Sequence, residues 1–498
     1  MLFKAFSRNF KSNKISLIKS KRSQSALEYM MTYGWAILII VIVAVILYSM
    51  GIFNPSSSVT FTSSGFTPFT VSSSLCNNLG YKIAIIAGPI PAGADSITVS
   101  KVYIFSATGA NTTAASYTLT NPVSLKSGQA AVLFIPNIAC NSAGIKYSFS
   151  GNLQYSYSTT AGNVVENTTG TVAGTSIAGK PSVLISYEPL TITNSQPSAT
   201  PNPFQQMLVF NSTDPGWTSI STSNFGQNVE FFYYNGTIIP SWLENYTADN
   251  ATWWLKIAAI PAGSSETVYV GFAPITTNLF NNVNDGEAPQ LSSTYAEYDD
   301  GVNVFNYYSR FGGSSLPSGW NDFGSDYSLT YGTTYLTITT TDSGGTYGGI
   351  YTSTQVPTIP SIYEFYGNIY TSGDYNFVGV LDTSLPSSNP YSNSAYVIQV
   401  GSRPDWDIVG GDNGYYYDTG YSDQDLTQVY GLSIPSSTSA QFFYNYTSTP
   451  ETTGMISETP SSFVFTGSGG SPLYIYWYRV RAYPPNGVMP TVNFGSVA

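Results

Sequence analysis

Hydrophobic and polar positions along this chain follow two rhythms. From Ala36 to Leu47 the apolar run is unbroken. With its flanks, Met30 to Ser49, it predicts a helix able to cross a bilayer, which takes about 20 mostly apolar residues. Beyond it the rhythm shortens. Lys82–Ala87 (KIAIIA), Ser96–Ser106 (SITVSKVYIFS) and Ala130–Pro136 (AAVLFIP) are short, β-branched and bounded by Gly, Pro or Asn, as strands are. Ile145–Tyr157 alternates about Gly151-Asn152 and predicts a hairpin. Residues 54–193 therefore predict a small β-sandwich.

Asn194–Pro203 carries three prolines and no large apolar side chain, the composition of a linker. A second unit over 204–303 follows. In it Val229–Tyr234 and Thr237–Trp242 flank Asn235-Gly236, a strong hairpin signal. Thr252–Ile257 and Glu266–Phe272 flank the turn-like Pro261-Ala262-Gly263. From 304 to 498 many short aromatic-rich strands alternate with turn signals, ending in Leu473–Val480 (LYIYWYRV). The expected fold class is mainly β. It has one N-terminal transmembrane or pilin-type α-helix followed by two or three β-sandwich domains, the last jelly-roll-like.

The apolar run has an unusual preface. Lys4, Arg8, Lys11, Lys14, Lys19, Lys21 and Arg22 precede it without an acid, and Glu28 is the only charge between Gln24 and Tyr81. The positive-inside rule puts the N-terminus in the cytoplasm and the bulk of the chain outside. A secretory signal is cut after its apolar core. Here the polar step Ser23-Gln24-Ser25 stands before that core. This order of parts resembles an archaeal type IV prepilin with its class III signal sequence. The resemblance covers about thirty residues. It implies that a prepilin peptidase cuts between Ser23 and Gln24, so that 1–23 is a basic leader and 24–53 stays as the helix. It also implies that Glu28 meets the N-terminal amine of a neighbouring pilin-like subunit during assembly. A buried charge needs such a partner. The family usually has Gly where Ser23 stands, which leaves an uncut membrane anchor as the other reading.

Two more resemblances cover the outer part. The series VEFFYYNGTIIPSWLENY, WWLKIAAIPAGSSETVYVGF, Gly286–Pro289 and EYDDGVNVFNYYSRF is similar to an uncharacterised β-domain of archaeal and bacterial surface proteins, which brings no established activity. The stretch from Phe305–Phe311 through Gly319-Trp320 to Leu473–Val480 is similar to a concanavalin A-like lectin or glucanase jelly roll.

Composition narrows the function. Without the leader, 10 basic residues face 28 acidic ones, a net charge near −18. Nucleic acid, which needs a basic footprint, is not an expected partner. Charged residues are 9% of the chain against ~25% in an average soluble protein. Ser, Thr, Asn and Tyr supply polarity that does not titrate. That suits an acidic or otherwise harsh exterior, and equally the ordinary make-up of surface β-proteins. There is no histidine, which removes Ser-His-Asp and Cys-His catalysis and His-ligated zinc. Cys76 and Cys140 either form one disulfide, worth about 3–4 kcal/mol in the chain-entropy model, or remain buried thiols. Sequons at Asn111, Asn167, Asn211, Asn235, Asn245, Asn250 and Asn445 are candidate glycan acceptors.

Residues 257–498 hold 20 of the 28 acids against Arg310, Arg403, Arg479 and Arg481. Asp405, Asp407, Asp412, Asp418, Asp423 and Asp425 interleave with Trp406, Tyr415, Tyr416 and Tyr417. Carboxylates beside rings suit sugars, so Asp405, Trp406, Asp407, Asp412 and Tyr415 are the ligand-binding candidates. Turn-forming aspartates beside core rings would look the same. Ca²⁺ is the one cofactor suggested, because oxygen-rich loops hold it; Asp299, Asp300 and Asn303 are its candidate ligands. A glycosidase would place acids at alternate positions of one strand. Asp405-Trp406-Asp407 has that spacing but reads as a loop beside Pro404. Arg479 and Arg481 read as edge-strand charges that blunt aggregation. The expected function is a membrane-anchored or pilus-associated adhesin, a minor or tip pilin, whose β-domains bind a glycan or cell-surface ligand without catalysis. The alternative is a membrane-anchored extracellular glycoside hydrolase.

Overall fold

A computed structural model describes residues 61–498 apart from 111–114, 137, 141, 341–346, 353–357, 370–374, 382–393, 401–404, 411–414, 423–425, 449–451, 454–460 and 469–471. The leader, the segment 24–53, and with them Ser23, Gln24 and Glu28 lie outside the described residues. Among the described residues no helix is long and apolar enough to cross a membrane. The chain divides into two compact units at Ala178/Gly179.

In the first unit, a five-stranded antiparallel sheet runs in the order Thr62–Gly65, Gly162–Thr175, Lys146–Thr159, Ile97–Thr108, Ala115–Leu125. A three-stranded sheet is made of Phe69–Asn77, Gly80–Ala87 and Ala130–Ile135. Alternation does the sorting: Tyr81, Ile83 and Ile85 point inward to meet Ile97, Val99, Phe149 and Leu153. The hairpin expected at Gly151-Asn152 does not exist. Lys146–Thr159 runs straight through it, and the chain reverses at Thr160-Ala161. Gly151 serves instead as a close-approach point, since a Cβ there would lie 2.1 Å from the Tyr103 carbonyl oxygen.

Cys76 and Cys140 form a disulfide across 64 residues, with Cα atoms 5.6 Å apart. A loop of that length restricts the unfolded chain by about 4 kcal/mol in the chain-entropy model. Replacing both cysteines by serine should therefore lower the first unit's denaturation midpoint and leave the second unit's unchanged, as calorimetry would resolve.

The second unit begins before the expected linker. Strand Ser186–Asn194 already belongs to it, in a four-stranded sheet ordered Val229–Tyr233, Ser264–Phe272, Ser186–Asn194, Thr491–Phe494. Residues 194–203 are pinned rather than free. Asn194 Nδ2 donates to the Ser198 and Ile260 carbonyls at 2.8 and 3.2 Å, and Thr200 Oγ1 accepts from Ile260 N at 2.8 Å. The opposing sheet is Phe204–Asn211, Asn250–Ile257, Ser241–Tyr246, Asp285–Glu287. Leu190, Ile192, Phe231 and Val270 pack against Leu208, Leu243 and Trp253 between them. The turn at Asn235-Gly236 forms, yet its second arm closes only one bridge, Phe232 to Ile238. The chain then crosses to the other sheet at Ser241. Because Thr491–Phe494 pairs with Ser186–Asn194, the C-terminus returns to this sandwich, and 304–498 is not a closed domain.

The remaining strands make a larger sandwich. A nine-stranded sheet is centred on Leu473–Ala482, with Ser361–Ile369 on one side and Tyr307–Arg310 and Leu336–Thr340 on the other. Gln428–Ser436 and Ser439–Tyr444 extend it beyond Ser361–Ile369. The seven-stranded partner ends in Ser394–Val400, Asp405–Gly410 and Tyr415–Ser422. Phe365, Val378, Tyr430, Phe463, Phe465 and Ile475 fill the space between the sheets. A bulge in Leu473–Ala482, between the positions facing Tyr366 and Gly367, decides what happens on the outer face. It lets Ile475 and Tyr478, three residues apart, both point into the core. Trp477, Arg479 and Arg481 then turn toward the smaller sandwich.

Candidate functional site

Where the two sandwiches of the second unit meet, charge is buried among rings. Trp242 and Trp254 are cross-strand partners and, with Phe305 and Trp477, are fully or almost fully buried. The Arg479 guanidinium lies 4.6 Å from the ring centres of Trp254 and Phe305 and 4.7 Å from Trp477. Its Nε donates to Glu364 Oε2 at 2.6 Å, its Nη1 is 2.7 Å from Glu244 Oε2, and its Nη2 donates to the Tyr446 hydroxyl at 2.8 Å. Arg481 donates to the other oxygen of Glu364 at 2.9 Å through Nε. Burial works against a charged Glu364, but the two arginines outweigh it and hold its carboxyl below the usual range. Arg479 and Arg481 are therefore not edge charges. They sit on a central strand, and their shared partner Glu364 arrives 115 residues before Arg479 and 117 before Arg481.

Two clefts open along this seam. The first, about 170 Å³, is lined by Met207, Trp254, Phe443, Tyr446, Arg481 and Tyr483, with Ser433 and Gln441 beside them. Arg481 Nη1 has no hydrogen-bond partner among the described residues, although the residue is only 6% exposed. Aromatic walls with a few converging polar groups suit a hydroxylated ring. The second cleft, about 400 Å³, is lined by Asp299, Tyr308, Ser309, Arg310 and the loop from Gly312 to Ser318.

The sequence-predicted candidates fall elsewhere. Asp405, Trp406 and Asp407 lie on a strand, not a loop, and Tyr415 opens the strand paired with it. In the register Asp407 faces Asp418 and Gln399, Trp406 faces Val400, and Tyr415 faces Gly410. Asp412 lies outside the described residues. The structure thus gathers Asp405, Trp406, Asp407 and Tyr415 on one hairpin at the end of the seven-stranded sheet.

Asp299, Asp300 and Asn303 sit at the sandwich junction. Asp299 Oδ1 accepts from Trp242 Nε1 and Gly301 N at 3.1 and 3.2 Å, and Oδ2 from Tyr308 and Arg310 at 3.0 and 3.4 Å. Asn303 turns its amide to the Asn282 carbonyl at 3.1 Å. Asp300 is fully buried with neither carboxyl oxygen paired, and burial raises its pKa well above the ordinary value. Among the described residues no group of three or more acidic or cysteine side chains is arranged to hold a metal ion. Of the sequons, Asn167, Asn211, Asn235, Asn245 and Asn445 are exposed and Asn250 is half-buried; Asn111 lies outside the described residues.

Sequence reasoning missed Glu364, Glu244, Tyr446 and Arg310. One signal was present. Glu364 is the single charge in the strand SIYEFYGNI, and an acid in an otherwise buried strand needs an internal cation. Which cation answers it is a matter of topology.

No protein-family model matches this chain. It is 29% identical over 348 residues to "Uncharacterized protein 562" of Sulfolobus islandicus rod-shaped virus 1. The match takes in 61% of this chain and 58% of the relative's length. Among solved structures, the carbohydrate recognition domain of Emp47p is similar at 13% identity and TM-score 0.27, over 34% of this chain and 92% of that one. A Bacillus licheniformis β-glucanase is similar at 12% identity and TM-score 0.28, over 35% and 97%. A β-agarase A solved with oligoagarose is similar at 12% identity and TM-score 0.24, over 36% and 89%.

Proposed function

We propose that this protein is a glycan-binding adhesin of non-catalytic type, displayed outside the cell on the helix 24–53, and that its concanavalin A-like sandwich and its neighbour hold the sugar between them. The observation that carries the reading is the seam cleft. The half-buried Tyr446 and Tyr483 line it, with the buried Trp254 and Phe443 behind them and Ser433, Gln441 and the buried, unpartnered Nη1 of Arg481 beside them. Membrane lipid, a prepilin peptidase and pilin-like subunits are the partners that the N-terminal segment implies, with a minor or tip pilin as its form.

The test is binding of neutral oligosaccharides to the full chain in detergent. Tyr483→Ala should weaken binding about tenfold or more, the loss of ~1.4 kcal/mol or more from one wall, with the near-ultraviolet circular dichroism unchanged. Equal affinity of the variant and the parent would remove the cleft from the account. A hydrolase reading rests on Asp407 facing Asp418 in the register, because paired carboxylates are what retaining glycosidases use. Release of reducing ends, abolished by Asp407→Asn, would favour it over the adhesin.

A further inference from the structure

The second cleft differs from the first in what lines it. Asp299, already saturated by four donors, sits beside Arg310, whose Nη1 approaches Asp299 Oδ2 at 3.4 Å. The arginine side chain is 47% exposed, and its Nε and Nη2 have no hydrogen-bond partner among the described residues. Arg479 and Arg481 are buried and ion-paired, and Lys180 and Lys256 are half-buried on backbone carbonyls. Arg310 is thus the one exposed cation among the described residues of a strongly acidic unit, and it lines a cleft of about 400 Å³.

The rest of the wall suits an anion. Ser314, Ser315 and Ser318 are exposed, and no hydrogen bond among the described residues occupies their hydroxyls. Gly313, at φ +142°, has open space where a side chain would stand, so a ligand can approach the backbone. No ring face lines the cleft except that of the packed Tyr308. Charge-assisted hydrogen bonds, not stacking, must then supply the recognition. A planar guanidinium with its Nε–Nη2 edge free is matched to a carboxylate or a sulfate.

We propose that the cleft around Arg310 binds the anionic group of an acidic saccharide, as a site separate from the aromatic cleft. The proposal extends the glycan-binding reading but is tested apart from it. Full-length protein is titrated with digalacturonate, with galactose 6-sulfate and with galactose, by calorimetry at low and high salt. The expected result is that at least one acid binds ten times or more tighter than galactose, that salt weakens it, and that Arg310→Gln abolishes the preference while Arg310→Lys keeps part of it. Which acid wins identifies carboxylate or sulfate as the group. Tyr483→Ala should leave the affinity for the favoured acid intact while reducing neutral-sugar binding, so the two sites fail separately. Equal affinity for all three sugars, no acid binding at roughly millimolar concentration, or an unchanged preference in Arg310→Gln would each overturn it.

Discussion

Thermal stability of this protein should fall, not rise, between pH 5 and pH 8. Four carboxyls are buried in the smaller sandwich and at its edge without adequate partners. Burial pushes Glu188 and Glu230 up to about 7, with the Asp214 charge adding to it at Glu188. Burial, with the Glu230 charge added, pushes Asp285 up to about 8. Asp300 is raised well above its ordinary value by burial, with Asp299 and Asp285 adding to it. Both oxygens of Glu188 and of Asp300, and one each of Glu230 and Asp285, lack a hydrogen-bond partner among the described residues.

A carboxyl whose folded pKa lies above its unfolded one binds its proton more tightly when folded. Its contribution is complete below the unfolded value and is lost as pH rises through the folded value. Each group gives a slope of about 1.4 kcal/mol per pH unit inside its window, so the midpoint should drop by roughly 10 °C or more from pH 5 to pH 8. Glu364 has the opposite sign. Its carboxyl is held low, so its contribution is present above the ordinary carboxylate range and is lost in stronger acid. Scanning calorimetry across pH measures the result. Glu188→Gln, Glu230→Gln and Asp285→Asn combined should flatten the profile. A midpoint that stays level or climbs toward pH 8 in the parent protein would contradict the assignment of these groups as neutral in the fold.

Glu364→Gln should be among the most destabilising single changes in the second unit. It removes the shared anion of Arg479 and Arg481 and leaves two guanidinium groups among rings, with Glu244, ion-paired to Arg479, the one remaining acid partner among the described residues. Breaking a buried ion pair from one side costs about 3–5 kcal/mol, because the surviving charge remains desolvated. Since Arg479 reaches Glu244 on the smaller sandwich and Glu364 on the larger, the loss should also weaken the coupling between them. Denaturation followed by fluorescence of Trp242, Trp254 and Trp477 is the natural readout, as all three surround the Arg479 guanidinium. A loss below about 1 kcal/mol would mean that water or rearrangement satisfies the arginines, and that the seam is softer than its geometry implies.

What the sequence discloses here follows the range of each interaction. Lys82–Ala87, Ser96–Ser106, Thr252–Ile257 and Glu266–Phe272 are legible because alternation and β-branching act within a few residues, and each forms a strand, the second from Ile97 onward. Gly151-Asn152 misleads because the dipeptide that favours a turn also suits a strand pressed against a neighbouring carbonyl. The prolines of 194–203 read as a linker, while what fixes that segment is Asn194 and Thr200 reaching Ile260, some sixty residues on. The pair Arg479 and Arg481 alternates as edge charges would. Nothing within ten residues reveals that Glu364 and Glu244 await them. The candidate site was invisible for the same reason: its walls come from Met207, Trp254, Phe443 and Tyr483, which only the tertiary fold assembles.

The central claim is that a sugar is held in the seam, between aromatic walls contributed by both sandwiches. A structure of the full chain soaked with the best neutral oligosaccharide tests it most directly. The account predicts a sugar ring against Tyr483 and Phe443 with a hydroxyl on Gln441 or Arg481. Saccharide seated instead on the hairpin Asp405–Ser422, with the seam empty, would contradict it.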